Sequence, residues 1–373
     1  MPMHKTSAWP LALIYAGLIV YASLFPFSNW RDQGVVPWFF LIAPLPRLIA
    51  PLPRYWTVFD VVANLLGYMP LGFFLVLSAL RTGRTRYALR MAVLAASALS
   101  LLMESLQVYL PNRVPSNLDL MLNVAGGALG ALSAWSLEKL GVLQRWSRFR
   151  ANWFVPDARG GLVLLALWPL ALLFPTSIPF GLGQVFERLQ ARMAGVLADT
   201  PFLEWLPMRQ TELHALWPAA EWLCVVLGLL IPCLLGFCII GQVGKRAWFL
   251  LWMCFFAVWV SALSAALSVG PEHAWAWLSA PVKAALMSAL VLAVLLLWVP
   301  RRASAALALL AVGVHLSLLN QAAVSPYFEH NLFLWEQGRF IRFHGLAQWL
   351  GWLWPFATLA YLLSLLWGRG AEN

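Results

Sequence analysis

Residues 100–130 read SLLMESLQVYLPNRVPSNLDLMLNVAGGALG. Apolar helical sequence enters and leaves this stretch, yet it carries Glu104, Gln107, Arg113, Asp119 and Asn123. A charged side chain at membrane depth costs about 2.5–3.5 kcal/mol on insertion scales, so it persists only where it is paired. Ser97, Ser100, Glu104 and Gln107 step by three or four and share one face of a first helix. Asp119, Asn123, Gly126 or Gly127, and Gly130 do the same on a second. Pro111, Asn112, Pro115, Ser116 and Asn117 mark a tight connection between the two, and that connection carries Arg113. The expected product is a helical hairpin with a buried polar cluster at one membrane face.

A related stripe lies upstream. The segment DVVANLLGYMPLG places Asp60, Asn64 and Gly67 at the spacing of Asp119, Asn123 and Gly126. The recurrence suits an internal repeat of helix hairpins, although three residues also match by chance. The ordered set Asp60-x3-Asn64, Pro70-x-Gly72, Ser100-x3-Glu104-x2-Gln107, Arg113, Ser116, Asp119-x3-Asn123-x2-Gly126-x3-Gly130 resembles the VanZ-like family of bacterial membrane proteins over residues 10–137. The resemblance implies a protein of the cell envelope. The family's namesake is associated with low-level resistance to the glycopeptide teicoplanin, so an effect on glycopeptide susceptibility is part of what the resemblance implies.

Composition places the whole chain in the membrane. Hydrophobic residues make up 62% of its 373 residues, charged residues only 11%, and the mean hydropathy is +0.76. A soluble chain carries about 25% charged residues. The expectation is an all-α, polytopic membrane protein of about ten transmembrane helices. The 22 Trp suit interfacial belts. The net charge of +10 reads as basic loops on one side of the membrane and does not call for nucleic acid. Cys224, Cys233, Cys238 and Cys254 all fall in apolar runs, and no Cys or His pattern has metal-ligand spacing. Packed thiols are expected, with no metal site of that kind and no cofactor. Lys5 precedes an apolar run without a small-x-small cleavage site, which reads as an uncleaved first span.

The apolar runs fall near 9–27, 58–80, 88–110, 119–137, 161–180, 217–241, 247–269, 281–299, 303–320 and 346–368. With the N-terminus inside, fifteen of the 25 Lys and Arg fall on the inside. The short basic loops at Arg81–Arg90, Lys245–Arg246 and Arg301–Arg302 are all among them. Both termini are then expected in the cytoplasm of a bacterium, with the protein in its cytoplasmic (inner) membrane. The polar cluster then faces outward. Residues 1–137 read as a four-helix membrane domain, 138–160 as a basic cytoplasmic linker, and 161–373 as a second helical membrane domain. APLPRLIAPLPR in the Pro-rich segment 28–57 reads as an interfacial stretch or a lid. The segments 181–216 and 321–345 are amphipathic, with Phe186, Leu189, Met193 and Val196 on one stripe of the first.

The candidate binding residues are Asp60, Asn64, Ser100, Glu104, Gln107, Arg113, Asp119 and Asn123. Three readings compete for them. In a binding protein, Arg113 pairs a phosphate or carboxylate and the amides meet sugar hydroxyls. The ligand is then a membrane lipid headgroup or a lipid-linked envelope precursor. In a membrane-embedded enzyme, Glu104 and Asp119 serve as base and acid while Arg113 holds a phosphate, and carboxylates with Asn64 and Asn123 hold a hard cation. No H-E-x-x-H, phosphate loop or nucleophile–base pair supports that reading. In a structural subunit with envelope protein partners, the amides and small residues simply join helices. His315, mid-span, reads as a hydrogen-bonded core histidine.

Overall fold

In the computed structural model, the described residues are 8–25, 27, 29–42, 58–83, 85–111, 113–198, 200–205, 215–322 and 341–367. They contain helices and no strand; one isolated bridge pairs Phe154 with Ile240. Eight of these helices are long and apolar enough to cross a membrane, and Ala8–Leu24 and Arg159–Ala171 are shorter apolar helices. The chain is thus an all-α, polytopic helical protein. It divides into two compact units, residues 1–148 and 149–373.

The first unit contains α1 (Ala8–Leu24), α2 (Val58–Arg81), α3 (Ala88–Gln107) and α4 (Asn117–Lys139). Helix α5 (Val142–Trp153) spans the division, so much of the segment expected as a linker is helical. α2 and α4 form the tightest pairing. A Cβ added to Gly126 would collide with the Leu65 carbonyl, one on Gly130 with that of Met69, and one on Gly72 with that of Gly127. On the adjoining face of α4, Gly127 meets the Ala96 methyl of α3, where an added Cβ would lie 2.7 Å from it. Lipid tails are as apolar as Leu, so close packing rather than water exclusion drives such contacts. Around this axis, Tyr68, Leu71, Ala96 and Met103 pack with Ile19 and Leu24 of α1, and Val76, Ala88, Ala92, Ala131 and Ala134 fill the other end. Tyr15 of α1 ties in by donating its hydroxyl to the Gly67 carbonyl at 3.0 Å.

The second unit contains α6 (Arg159–Ala171), α7 (Phe186–Leu197), α8 (Pro218–Ile239), α9 (Val243–Val269), α10 (Ala280–Leu295), α11 (Arg301–Leu319) and α12 (Ile341–Trp367). α8 is its central column, buried along nearly its whole length. The expected span at 161–180 is shorter than the hydropathy suggested. Helix stops at Ala171, and residues 172–185 follow as irregular, largely buried chain. Phe180 sits against Gly228, midway along α8, and stacks on Trp168 at 6.2 Å between ring centroids. Non-helical backbone at that depth must find partners inside the protein. Ser264 donates to the Leu173 carbonyl, the Gly183 N–H to the Gly351 carbonyl, and Asn320 Nδ2 to the Gly183 carbonyl. Asn320 Oδ1 accepts from the N–H groups of Val185 and Phe186 and so caps α7.

Other expectations meet the structure in detail. Phe186, Leu189, Met193 and Val196 form an exposed apolar stripe on α7. Arg246, counted from sequence as a loop cation, is buried. It donates to the carbonyls of Phe237, Ile240, Leu297 and Val299 at 2.7–2.9 Å. Not all Trp sit in end belts: Trp248, Trp252 and Trp259 are exposed along one side of α9, and Trp252 and Trp259 lie well inside it. His315 is buried against the backbone of Cys224 and Leu182, with its Nδ1 unbonded. The four cysteines are free thiols. The APLPRLIAPLPR segment and most of 321–345 lie outside the described residues.

The glycine contacts yield a direct test. Gly126→Ala and Gly130→Ala each push a methyl into a helix carbonyl that has nowhere to go. Each should destabilise the first unit by about 1–3 kcal/mol or more, measured by unfolding in detergent, whereas Gly67→Ala, which meets open space, should not.

Candidate functional site

The polar side chains gather where α3 ends and α2 and α4 begin. α4 starts at Ser116, whose extended backbone and side chain form its N-cap: Oγ accepts from the N–H of Leu118 at 3.2 Å and of Asp119 at 3.5 Å. This satisfies donors that a helix start leaves unpaired. Asp119 in the first turn and Lys139 in the last both oppose the helix dipole favourably. Glu104, buried near the end of α3, accepts from the Ser116 N–H at 2.9 Å through Oε2. One carboxylate therefore fixes the connection between α3 and α4 at the cap residue itself.

The remaining candidates divide into pairs. Asn64 of α2 donates through Nδ2 to Asp119 Oδ1 of α4. Asn123, one turn further into α4, donates through Nδ2 to Ser100 Oγ of α3 at 3.0 Å, and both residues are buried. The two Asp-x3-Asn-x2-Gly stripes therefore play different parts. Asn64 is half-buried and bonds an acid, whereas Asn123 is buried and bonds a hydroxyl. Likewise Gly67 faces open space while Gly126 faces the Leu65 carbonyl. Asp60 belongs to α2, one turn before Asn64, and its side chain lies outside the described residues.

Gln107 and Arg113 serve a neighbouring purpose. Gln107 Nε2 donates to the Ser23 carbonyl at 3.2 Å. Arg113 Nη2 donates to the carbonyls of Phe25 at 3.0 Å and Ala22 at 3.4 Å. These carbonyls end α1, where the helix dipole is negative and a cation is favoured. The chain after α1 joins the same end: Gln33 Nε2 donates to the Val108 carbonyl at 2.6 Å and the Arg31 N–H to the Tyr109 carbonyl at 3.0 Å. The cluster thus links all four helices. Its burial is graded, with Asn64, Gln107, Arg113 and Asp119 half-buried and Ser100, Glu104 and Asn123 buried behind them.

Sequence reasoning missed Tyr68. Its buried hydroxyl lies beside Ser100 and within the field of Glu104. The signal was available, since Tyr68 follows Asn64 by four residues and shares its face of α2. Among the described residues no group of three or more His, Cys, Asp or Glu is arranged to hold a metal.

Ser116→Ala should cost about 1 kcal/mol of stability through the lost cap. Glu104→Gln keeps an acceptor for the Ser116 N–H but removes its charge, and should cost about 1–2 kcal/mol. Unfolding in detergent reads both, and a Glu104→Leu variant that leaves no acceptor should cost more than either.

The family model described as VanZ/LLP1 matches residues 11–138. No curated protein and no solved structure matches the chain. The matched residues cover nearly all of α1 to α4 and all of the polar cluster, so the N-terminal unit of this multi-pass helical membrane protein is similar to the VanZ/LLP1 family.

Proposed function

We propose that the polar end of the N-terminal unit recognises a polar lipid headgroup or a lipid-linked envelope precursor in the outer leaflet of a bacterial cytoplasmic membrane. The supporting observation is the graded burial. A half-buried row of amide, acid and guanidinium groups stands before a buried row that positions it. Such a row offers donors and acceptors for phosphate and hydroxyl groups at the depth of headgroups, with Arg113 as the anion partner. Glycopeptide susceptibility would change if the bound precursor were the one the antibiotic meets.

The orientation follows from charge. Arg81, Arg86, Arg90, Lys139, Arg145 and Arg148 lie at the end of the domain opposite the cluster. By the positive-inside rule that end is cytoplasmic and the cluster faces outward. Val114 is the natural reporter, since it is 82% exposed in the connection between α3 and α4. Val114→Cys should react with a membrane-impermeant maleimide on intact cells, and Arg86→Cys only after permeabilisation. The reverse pattern would refute the orientation.

Recognition itself is tested by mass spectrometry of the lipids that copurify with the protein. Asp119→Asn and Arg113→Lys should lose a lipid class retained by the wild type while remaining folded. Retention of the same lipids by folded variants would contradict recognition. It would favour a structural subunit, a reading supported by the way Asn64, Glu104 and Asn123 bond within the cluster. A lipid chemically altered only by the wild type would instead indicate an enzyme.

A further inference from the structure

The short basic segments Lys245–Arg246 and Arg301–Arg302 supply four cations to one end of the second unit, and the protein itself uses three of them. Lys245 Nζ donates to the Asn152 carbonyl at 2.6 Å. Arg246 is taken by four backbone carbonyls, and Arg301 Nε donates to the Cys238 carbonyl at 2.7 Å. Arg302 is exposed and has no hydrogen-bond or ion-pair partner among the described residues. It lies in the first turn of α11, one turn before Ala306. Positions 302, 306, 310, 313 and 317 step by four or three and share one face of the helix. That face is the floor of an open apolar groove of about 520 Å³, which Leu366 of α12 borders. Gly313 adds no side chain to the floor, and a Cβ placed there would meet open space. From Ala306 to Ser317 the groove runs about 16 Å at about 1.5 Å per residue. That is about half of a hydrocarbon core about 30 Å thick, the depth of one leaflet. Helical side chains lean toward the helix N-terminus, so Arg302 reaches from the mouth of the groove toward the membrane surface. Trp298, just before α11, is exposed at the same end, where an interfacial indole belongs.

We propose that this groove holds an acyl chain of an anionic phospholipid, drawn from the leaflet on the basic side of the membrane, with Arg302 paired to its phosphate. Charge selects the occupant. An anionic headgroup meets the cation that the protein leaves unpaired, whereas a zwitterionic lipid fills the groove without balancing it. A second copy of the chain docked through the same face would be related by an axis along the membrane normal. It would set Arg302 against its own counterpart. The site lies in the second unit, so it does not depend on the headgroup reading of the first.

The test is native mass spectrometry of the delipidated full chain in detergent, titrated with phosphatidylglycerol or phosphatidylcholine of identical acyl chains. The wild type should bind its first phosphatidylglycerol about fivefold more tightly than phosphatidylcholine, the worth of one basic residue beside an anionic headgroup. Arg302→Gln should abolish that difference and leave phosphatidylcholine binding unchanged. Gly313→Leu fills the groove from a position where nothing obstructs a side chain, and should weaken both lipids. Should it fail to fold, Ala306→Leu, which blocks the same groove nearer its mouth, decides the question. Equal binding of the two lipids by the wild type overturns the proposal and leaves adventitious lipid only. A phosphatidylglycerol preference that survives Arg302→Gln, or tight binding that survives the filled groove in a folded variant, overturns it as well. A wild type that runs as a dimer beside a monomeric Gly313→Leu variant would assign the groove to a second copy of the chain instead.

Discussion

The N-terminal unit rests on the contact between the backbones of α2 and α4. Gly126 and Gly130 meet the carbonyls of Leu65 and Met69, and Gly72 meets the carbonyl of Gly127. No side chain fits between the helices there, so the two axes are fixed in register. That register places Asn64 opposite Asp119 at one end. It also brings Gly127 onto Ala96 and thereby sets α3, which carries Ser100 and Glu104 to Asn123 and Ser116. The polar cluster is therefore a consequence of the glycine contact and then reinforces it.

Energetics explain the division of labour. Hydrogen bonds between membrane helices are worth on average about 0.6 kcal/mol, so the cluster alone would hold the domain weakly. Its weight lies in the cost of leaving such groups unpaired. Glu104 and Asn123 could not be buried without Ser116 and Ser100, and that requirement selects one arrangement of α3 against α4. Arg113 and Gln107 extend the same logic to α1 by taking its terminal carbonyls. A site built this way is stiff at its base and half-exposed at its rim, which suits recognition of a polar group entering from one side.

Much of this was legible in the sequence. The helices follow from hydropathy, and the i, i+4 spacing correctly placed Ser100 with Glu104 and Asp119 with Asn123 on common faces, because one helix repeat governs both. Partner choice was not legible. Nothing in the spacing shows that Asn64 takes Asp119 while Asn123 takes Ser100, or that Arg113 caps α1, since these depend on how helices cross. The same limit hid the end of α6. Residues 161–180 are apolar throughout most of their length, but chain reversal at 172–185 is set by partners on α9, α11 and α12 that lie far away in sequence. Arg246 looked like a loop cation because its four carbonyl partners become neighbours only when α8 and α10 end beside it.

The central claim is that α2 and α4 are locked as one element by backbone contact and by the polar pair at its end. A double-mutant cycle on Asn64→Ala and Asp119→Ala, read by reversible unfolding in detergent, tests it most directly. The lock predicts a coupling of about 0.6–1.7 kcal/mol between the two substitutions. Additive effects, equal within about 0.3–0.5 kcal/mol to the sum of the single changes, would contradict it.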